Sequence, residues 1–433
     1  MRFIKGVSIT LVAKVILLCF GIISSIIIAR YIGPSGKGIL TVLVAISGIA
    51  LQFGNLGMPA ANIYFMGKEK KLFPEITAIS FFFSIGGGLI VAFIVYLLFI
   101  LYPNIIGKVS PFFLIVTLIS IPFSLITTLY TNILLGGQRI YEYNLIGILG
   151  GSFSLIVNII FLVLLKKGIL ELVIMSTVIN IILSLICIIY VYRPVKFKIS
   201  IDLSVFSRMI KYGIKSYVAC LLGYLIIRSD ILFVNYILGV SSTGIYSIAV
   251  GIADLLYIIP STIGVILFPK ISAIQDQDNK GLLTLTVCRY TVFIMIILCV
   301  LIGTISKPLI LLMYGAQFHS SIVPFLWLLP GIFSLGICTI LMQELAGRGL
   351  PPIVYIAPAI ALIVNVILNI KLIPVIHVSG AAIASSISYT IMLGLTLKYF
   401  LKITDSSLTD VLVIKRKDFG VLKEVIIKGL LIK

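Results

Sequence analysis

Four ionisable residues lie inside long apolar runs of the chain: Lys14, Arg228, Asp230 and Asp254. Placing such a side chain in the middle of a bilayer costs roughly 2.5–3.5 kcal/mol on insertion scales, so each one is a functional hypothesis. We expect Lys14 and Arg228, joined by Arg30 nearer the end of its run, to hold an anionic substrate inside a hydrated cleft. Asp230 or Asp254 could exchange a proton or a sodium ion with the solvent.

Arg228 and Asp254 also have a purely structural interpretation. Counted from the loop at 239–244 at about 1.5 Å per helical residue, both lie roughly 14 to 15 Å into the membrane, on consecutive antiparallel helices. They could form a neutralising interhelical bridge, which does not exclude a part in substrate binding. Arg228 and Asp230 are two residues apart, about 200° around a helix, so they cannot share a face.

The elements that carry these charges are membrane helices. Of the 433 residues 61% are hydrophobic and 11% charged, whereas soluble domains are about 45–50% apolar and about 25% charged. A run of about 20 apolar residues crosses the hydrocarbon, and backbone in lipid must satisfy its own hydrogen bonds. We therefore predict an all-α polytopic membrane protein with about twelve transmembrane helices. They cover residues 8–29, 39–66, 76–101, 112–135, 145–165, 169–192, 214–238, 245–269, 282–304, 322–345, 353–371 and 381–401.

The basic residues are distributed unevenly between the two sides of these helices. Most of the 33 Lys and Arg fall on the side of the N-terminus when the helices alternate in direction. This positive-inside pattern places both termini in the cytoplasm. The net charge of +19 therefore reflects topology, and it gives no reason to expect a nucleic-acid partner.

The chain contains an internal repeat. YIGPSGKGILTVLVAISGIA, at 31–50, aligns without a gap with ILGVSSTGIYSIAVGIADLL, at 237–256. Because six is an even number, two six-helix bundles would start from the same side, as parallel repeats related by an axis along the membrane normal. The predicted domains are an N-terminal bundle at 1–195, a cytoplasmic interfacial linker helix at 196–215, a C-terminal bundle at 214–401 and a basic cytoplasmic tail at 402–433.

The intramembrane charges do not follow this repeat. The repeat aligns Lys14 with Cys220, Arg228 with Ile22, Asp230 with Ser24 and Asp254 with Gly48. A scaffold that repeats while its charges do not is expected of a protein that binds one asymmetric substrate.

The string GPSGKG, at 33–38, has the composition of a phosphate-binding loop. A Walker-type loop needs G-x-x-x-x-G-K-[ST] after a strand. Here the spacing is shorter, Gly38 replaces the Ser or Thr, and the flanking segments are apolar. The copy GVSSTG, at 239–244, keeps both outer glycines and lacks the lysine, so we interpret the string as a turn at which Pro34 ends the first helix.

Two basic stretches are expected at the membrane surface, with lipids as their partners. In 200–217 apolar residues recur at helical spacing opposite basic ones, so this linker should lie flat on the cytoplasmic leaflet. The tail from Ile414 is basic and too short to span, which favours anionic headgroups, or else a merely solvated tail. The apolar residues of the linker are Leu203, Phe206, Ile210, Ile214 and Tyr217.

The remaining polar residues suggest neither catalysis nor a metal site. The six cysteines fall inside apolar spans and form no CxxC pair, and His319 and His377 lie in outside loops without a partner ligand in sequence. QDQDN, at 275–279, is typical of a short cytoplasmic loop. We expect no catalytic residue, no metal and no cofactor.

Several strings, in their order and spacing, resemble the polysaccharide-exporter branch of the multidrug/oligosaccharidyl-lipid/polysaccharide (MOP) exporter superfamily. They are ARYIGPSGKGIL, RSDILFVNYILGVSSTGIYSIA with LFPKIS, and NVILNIKLIPVIHVSGAAIASSISY. This superfamily includes Wzx-type O-antigen flippases and, more distantly, the lipid II flippase and MATE drug exporters. The resemblance covers about 3–401 and implies a V-shaped pair of six-helix bundles.

The resemblance also implies a function. Such proteins move an undecaprenyl-diphosphate-linked oligosaccharide across the bacterial inner membrane by alternating access, for lipopolysaccharide and other surface polysaccharides. Lys14 and Arg228 could supply the family's cavity cations, Asp230 matches its common acidic position, and a proton or sodium counter-ion is possible. Polymerases and glycosyltransferases of the same pathway would be partners. Lipid II flippases carry fourteen helices, which weighs against lipid II as the substrate.

Two alternatives stay open. A MATE-like ion-coupled drug antiporter should favour an acidic cavity for cationic drugs, whereas Lys14 and Arg228 favour an anionic substrate. A polysaccharide polymerase or ligase should place catalytic residues in a sizeable outside loop. The longest outside loop, about 305–321, offers only Lys307 and His319.

Overall fold

A computed structural model describes residues 2–103, 107, 109–193, 202–274 and 276–413, and this part of the chain contains helices and no strand. The predicted tail from residue 414, the beginning of the predicted linker and part of QDQDN lie outside the described residues. The helices are α1 (Arg2–Asn55), α2 (Met58–Lys68), α3 (Phe73–Leu101), α4 (Pro111–Gly136), α5 (Ile140–Asn158), α6 (Ile169–Tyr192), α7 (Leu203–Leu238), α8 (Val240–Ala273), α9 (Gln277–Thr304), α10 (Ser306–Tyr314), α11 (Ile322–Gly347), α12 (Ile353–Ile376), α13 (Val378–Thr404) and α14 (Leu408–Leu412).

Eleven helices of the described part are long and apolar enough to cross a membrane, and α1 reverses its direction within the first of them. Lys37 Nζ lies 3.2 Å from Ser25 Oγ, although residues twelve apart on a straight helix are about 18 Å apart along its axis. The reversal occurs at Gly33, whose backbone is non-helical, and Pro34 opens the second arm. With α1 counted as two arms, the eleven helices give the twelve predicted crossings.

The second arm of α1 ends earlier than predicted. The apolar run suggests one helix over 39–66, but the structure breaks it at Leu56 and Gly57, which both have positive φ. Asn55 Oδ1 accepts a hydrogen bond from the backbone N–H of Gly57 at 2.8 Å and stabilises this break. The remainder forms the separate helix α2, which apolar periodicity alone does not separate from the arm before it.

The predicted linker is described from Asp202 onward, and there it is the beginning of α7. A single helix runs from Leu203 to Leu238. Val205 and Met209 are buried in an apolar cluster with residues of α2, α3, α4 and α6, whereas Leu203 is exposed. Protein therefore covers part of the surface that the pattern assigned to lipid.

Polar contacts hold this beginning of α7 on α2. Arg208 forms an ion pair with Glu69, and the ring of Tyr212 stacks on the ring of Tyr64 with centroids 4.2 Å apart. The hydroxyl of Tyr64 accepts a hydrogen bond from Lys68, which raises the pKa of that lysine.

The described helices pack as two compact units. The first extends to Ser247 and includes Leu311–Phe318; the second takes Ile248–Ile310 and the chain from His319. One apolar cluster of the first unit joins the second arm of α1 to α3 and α4, and a cluster of the second unit joins α8, α9, α11, α13 and α14. The limits predicted from the sequence repeat, 1–195 and 214–401, stay a prediction.

Interhelical hydrogen bonds between small or polar side chains occur in both units. In the first, Asn62 Nδ2 donates to Ser80 Oγ at 3.0 Å and to the carbonyl of Leu129 at 3.1 Å. In the second, the hydroxyls of Ser334 and Thr390 are 3.1 Å apart. Such contacts are typical of helix packing in lipid, where apolar surface alone does not favour one helix neighbour over another.

Candidate functional site

Two predicted site residues lie on different faces of α7. Arg228 is four residues from Tyr224 and from Leu232, so these three side chains follow one face of the helix. Asp230 is four residues from Ile226 and lies on a buried stripe, where it is 2% exposed. Arg228 is partly exposed. The helix thus presents the cation at an accessible surface and packs the carboxylate inside.

The buried carboxylate contacts the beginning of α8. Tyr246, which is fully buried, donates a hydrogen bond from its hydroxyl to Asp230 Oδ2 at 2.5 Å. Asp230 Oδ1 accepts a hydrogen bond from the backbone N–H of Ile231 at 2.8 Å. Through the bond from Tyr246, the Asp230 side chain links α7 to the beginning of α8. The sequence patterns did not predict this contact of Tyr246 with Asp230.

The first arm of α1 and the helix α7 end with the same backbone geometry. Gly33 has φ 65° and ψ −172°, and its repeat counterpart Gly239 has φ 83° and ψ 177°. This region of backbone conformation is essentially restricted to glycine. A reversal in this stretch is therefore confirmed, but it lies at Gly33 alone, and Gly239 of the copy adopts the same conformation. Residues 34–38 already belong to the second arm, so Pro34 begins that arm and does not end the first helix.

The two turns also contact each other, in a reciprocal way. A Cβ atom on Gly38 would overlap the carbonyl oxygen of Val240, and a Cβ atom on Gly244 would overlap the carbonyl oxygen of Pro34. Gly38 aligns with Gly244 and Pro34 aligns with Val240, so each turn makes the same contact with the other. Only glycine leaves room for this approach of two backbones.

The second arm of α1 follows α7 from these turns past Arg228. The hydroxyl of Tyr224 occupies the space that a side chain on Gly48 would fill. Further along, the Tyr217 hydroxyl approaches the carbonyl oxygen of Phe53 at 3.5 Å. One side of the face that carries Arg228 is therefore closed by protein over most of its length.

Lys14 and Arg228 lie at different levels along the helices. Lys14 is exposed on the first arm of α1. It precedes Gly33 by nineteen residues, about 28 Å of helix, whereas Arg228 precedes Gly239 by eleven residues, about 16 Å. Since the two turns meet, the side chains start about 12 Å apart along the helix direction. Substrate binding by Lys14 and Arg228 stays a prediction.

Arg30 closes the C-terminal end of α10. Its Nε donates to the carbonyl of Met313 at 2.8 Å, and its guanidinium also donates to the carbonyl of Leu312. A cation at the last carbonyls of a helix is favourable. Gln317 Nε2 donates to the carbonyl of Ala29 at 3.0 Å and completes the attachment of this segment to α1. Substrate binding by Arg30 stays a prediction.

Asp254 lies on α8 and is partly exposed. It belongs to the second unit, whereas Arg228 belongs to the first. The bridge between Arg228 and Asp254 therefore stays a prediction, as does ion exchange at Asp254.

Two contacts of buried charged residues in the second unit involve none of the predicted site residues. Glu344 is fully buried, and its Oε1 accepts a hydrogen bond from Arg348 Nε, one turn further along α11. Arg289, also buried, donates to the carbonyl of Asp410 at 2.8 Å. The four-residue spacing of Glu344 and Arg348 is the sequence signal for the first contact, whereas the second joins residues 121 apart.

No three His, Cys, Asp or Glu side chains converge on a metal-sized site among the residues that the structure describes. The cysteines of the described part are free thiols.

Comparison with known proteins agrees with this architecture. A family model described as polysaccharide biosynthesis protein matches residues 27–323. A curated relative, the probable flippase AglR of Haloferax volcanii, is 32% identical over 167 residues, which cover 37% of this chain. The match spans only 35% of the relative's own length.

Two solved structures match nearly the whole chain. The lipid II flippase MurJ, in an inward closed conformation, has a TM-score of 0.74 and 18% identity over 97% of this chain and 96% of its own. An inward-facing MATE family multidrug transporter of the MOP superfamily has a TM-score of 0.77 and 14% identity over 90% and 95%. These likenesses show the fold, and the resemblance read from the sequence is confirmed. Because the family model covers more than half of the chain, this multi-pass membrane protein belongs to the polysaccharide biosynthesis protein family.

Proposed function

We propose that this protein is a flippase for undecaprenyl-diphosphate-linked oligosaccharide repeat units. It would move them across the bacterial inner membrane for the synthesis of surface polysaccharide, whether O-antigen, capsule or exopolysaccharide. The observation that carries the proposal is the accessible position of Arg228 within a membrane helix, beside the buried Asp230. Membership of the polysaccharide biosynthesis family and the name of the relative, probable flippase, support it.

The chemistry of the substrate explains why a cation is needed there. A diphosphate and a hydroxyl-rich glycan lose their hydration in hydrocarbon at a prohibitive cost unless protein groups replace the water. The guanidinium of Arg228 offers five donors in a planar fork that suits phosphate oxygens. Meanwhile the polyprenyl tail can stay in the lipid, so only the head group has to cross.

Lys14 and Arg228 then act in sequence. Lys14 contacts the diphosphate near the N-terminal end of the first arm, and Arg228 receives it about 12 Å closer to the turns. Arg30 lies within one helical turn of Gly33 and would be the last of the three cations to contact the diphosphate. It would use the N–H donors that remain beside the two that bind α10 carbonyls. With both termini in the cytoplasm, this order runs from the cytoplasmic leaflet outward.

We assign ion coupling to a carboxylate, with Asp230 and Asp254 as the candidates. Tyr246 donates to Asp230 Oδ2, so a proton or a sodium ion taken up by that carboxylate would compete with this hydrogen bond and weaken the contact of α7 with α8. We expect a proton or sodium gradient to accelerate flipping by the wild-type protein and to lose this effect in Asp230→Asn. Asp254→Asn, measured beside it, identifies which carboxylate is responsible. Flipping by the wild-type protein that ignores both gradients would contradict the coupling.

The proposed setting includes other proteins of the pathway. Glycosyltransferases would supply the lipid-linked repeat unit on the cytoplasmic side, and a polymerase would consume it on the other. Membrane lipids surround the helices, and the proposed transport needs no cofactor.

A reconstitution experiment tests the proposal. Purified protein in liposomes is given a fluorescent polyprenyl-diphosphate oligosaccharide, and membrane-impermeant enzyme or quencher reports how much reaches the opposite leaflet. A glycan on an uncharged polyprenol serves as the matched control, because it lacks the group that Arg228 should bind. We expect the diphosphate lipid to flip at least roughly tenfold faster than in protein-free liposomes, and the uncharged lipid not to.

The same liposomes distinguish a flippase from the alternative, an ion-coupled drug antiporter. A drug antiporter would drive uptake of a cationic dye under a proton or sodium gradient and leave the diphosphate lipid in its leaflet. That result would contradict the proposal.

A further inference from the structure

An apolar groove of about 410 Å³ opens in the first unit beside the face of α7 that carries Arg228. Its volume falls within the range of about 300–1,000 Å³ that is usual for ligand sites. All of its walls are apolar side chains of membrane helices. Those that matter most are Ile46, Ala50 and Phe53 on the second arm of α1, Ile94 and Leu98 on α3, and Leu232 on α7.

The groove is continuous with the lipid-facing surface of the protein. Ile94, Leu98 and Phe53 are each about half exposed, and neighbouring residues of α3 that lie outside the groove, such as Leu89 and Phe93, are more exposed still. These helices are long and apolar enough to span the bilayer, so the groove faces the hydrocarbon of the membrane. The occupant can enter sideways from the membrane.

Leu232 connects this apolar groove to the cation. It lies four residues from Arg228, so its side chain is one turn away on the same face of α7. Leu232 also lines a second, smaller cavity of about 330 Å³ with Ser229, Phe233 and Tyr236. A guanidinium next to two apolar cavities complements an amphiphile that has an anionic head and a hydrocarbon tail.

We propose that the groove binds the polyprenyl tail of the substrate while Arg228 holds the diphosphate, an inference that rests on the proposed function. The tail is anchored to the first unit on the membrane side of α7, and the head group moves along the helix past Arg228. The positive charge of Arg228 favours a diphosphate lipid over zwitterionic phospholipids. The proposed occupant of the groove is the polyprenyl chain of that lipid and not an ordinary acyl chain.

Site-specific photo-crosslinking tests the groove directly. A benzophenone amino acid replaces Ile94, inside the groove, or Leu89, five residues away on a different face of the same helix. Exposed fractions of 48% and 57% make the two positions comparable in their access to lipid. Each variant of the full chain, in nanodiscs of phosphatidylethanolamine and phosphatidylglycerol, is irradiated with radiolabelled undecaprenyl diphosphate.

We expect at least roughly fivefold more labelled adduct at position 94 than at position 89, with the difference abolished by unlabelled undecaprenyl diphosphate and not by extra phosphatidylglycerol. The preference should weaken in Arg228→Ala, because the head group is then no longer held one turn away. Equal labelling at the two positions would overturn the proposal. So would competition by phosphatidylglycerol as strong as that by the polyprenyl lipid, which would identify an acyl-chain site.

Flipping is measured on separate variants so that the two proposals can fail independently. Ile94→Trp should fill the groove and slow flipping, whereas Leu89→Trp should leave it unchanged. If the wild-type protein flips the diphosphate lipid and neither the crosslink nor Ile94→Trp shows a preference, the groove is wrong and the proposed function stands. If position 94 is labelled specifically and the wild-type protein does not flip the lipid, the proposed function fails and tail binding stands.

Discussion

The first arm of α1 and the helix α7 begin the two repeats, and they share their geometry without sharing their charges. Both end at a glycine with positive φ and extended ψ, and the turns that follow make reciprocal contacts through Gly38 and Gly244. Arg228 and Asp230 of α7, by contrast, align with Ile22 and Ser24 of α1. The two repeats therefore have the same backbone turns, whereas each intramembrane charge occurs in only one of them. Substitutions at positions that the repeat aligns can test whether the two turns are equivalent, and substitution of Arg228 can test the role of a charge that only one repeat carries.

The largest effect is expected where the two turns meet. Gly38→Val and Gly244→Val each insert a side chain against a backbone carbonyl, which cannot move aside as a side chain would. We expect each to destabilise the protein by roughly 3 kcal/mol or more, seen as a large drop in thermal midpoint in detergent or as loss of folded protein.

Gly251→Ala is the matched control, because nothing lies within 4 Å of a Cβ atom built at that helical position. It should be neutral or slightly stabilising. If either valine variant matched this control while the other did not, the contact would not be reciprocal.

A smaller effect is expected at the residues that set the direction of each turn. Gly33→Ala and Gly239→Ala keep the space free of hard overlap but force alanine into a backbone region that costs roughly 1–3 kcal/mol. The two midpoints should fall by similar amounts. A clear drop for only one of them would show that the turns are held differently despite their common geometry.

Another sharp helix reversal, between α12 and α13, gives the smallest effect and the opposite sign. There His377, which is not a glycine, adopts φ 53° and ψ −136° and is exposed. His377→Gly should relieve the strain and stabilise the protein by about 1 kcal/mol, measured as a raised midpoint. A lowered midpoint would mean that the imidazole makes a contact that outweighs its backbone cost.

The sequence predicts most of the scaffold because local patterns determine it. Apolar runs locate the membrane helices, and α6 begins and ends where its run does. The repeated glycines locate the turns. Apolar periodicity does not predict the break at Leu56 and Gly57, because a local hydrogen bond from Gly57 to the side chain of Asn55 interrupts a run that stays apolar.

Non-local packing explains what the sequence did not predict. An amphipathic stripe shows that a helix face is covered but not what covers it. For the beginning of α7 the stripe favours lipid, although Val205 and Met209 pack on protein. The contact of Asp230 with Tyr246 crosses from one helix to the next and leaves no periodic signal. The roles of Lys14, Arg228 and Arg30 depend on a substrate and stay predictions.

The most direct test of the central claim is the initial rate at which Arg228→Ala flips a polyprenyl-diphosphate oligosaccharide in liposomes. Arg139→Ala is the control, because it removes a cation that forms a partly exposed ion pair with Glu142, three residues along the same segment. A charge-assisted hydrogen bond to phosphate contributes about 1.5–3 kcal/mol, so we expect roughly a tenfold to hundredfold loss for Arg228→Ala, partial recovery in Arg228→Lys and no loss for the control. Flipping by Arg228→Ala at the wild-type rate, with the variant folded and reconstituted to the same level, would contradict the account.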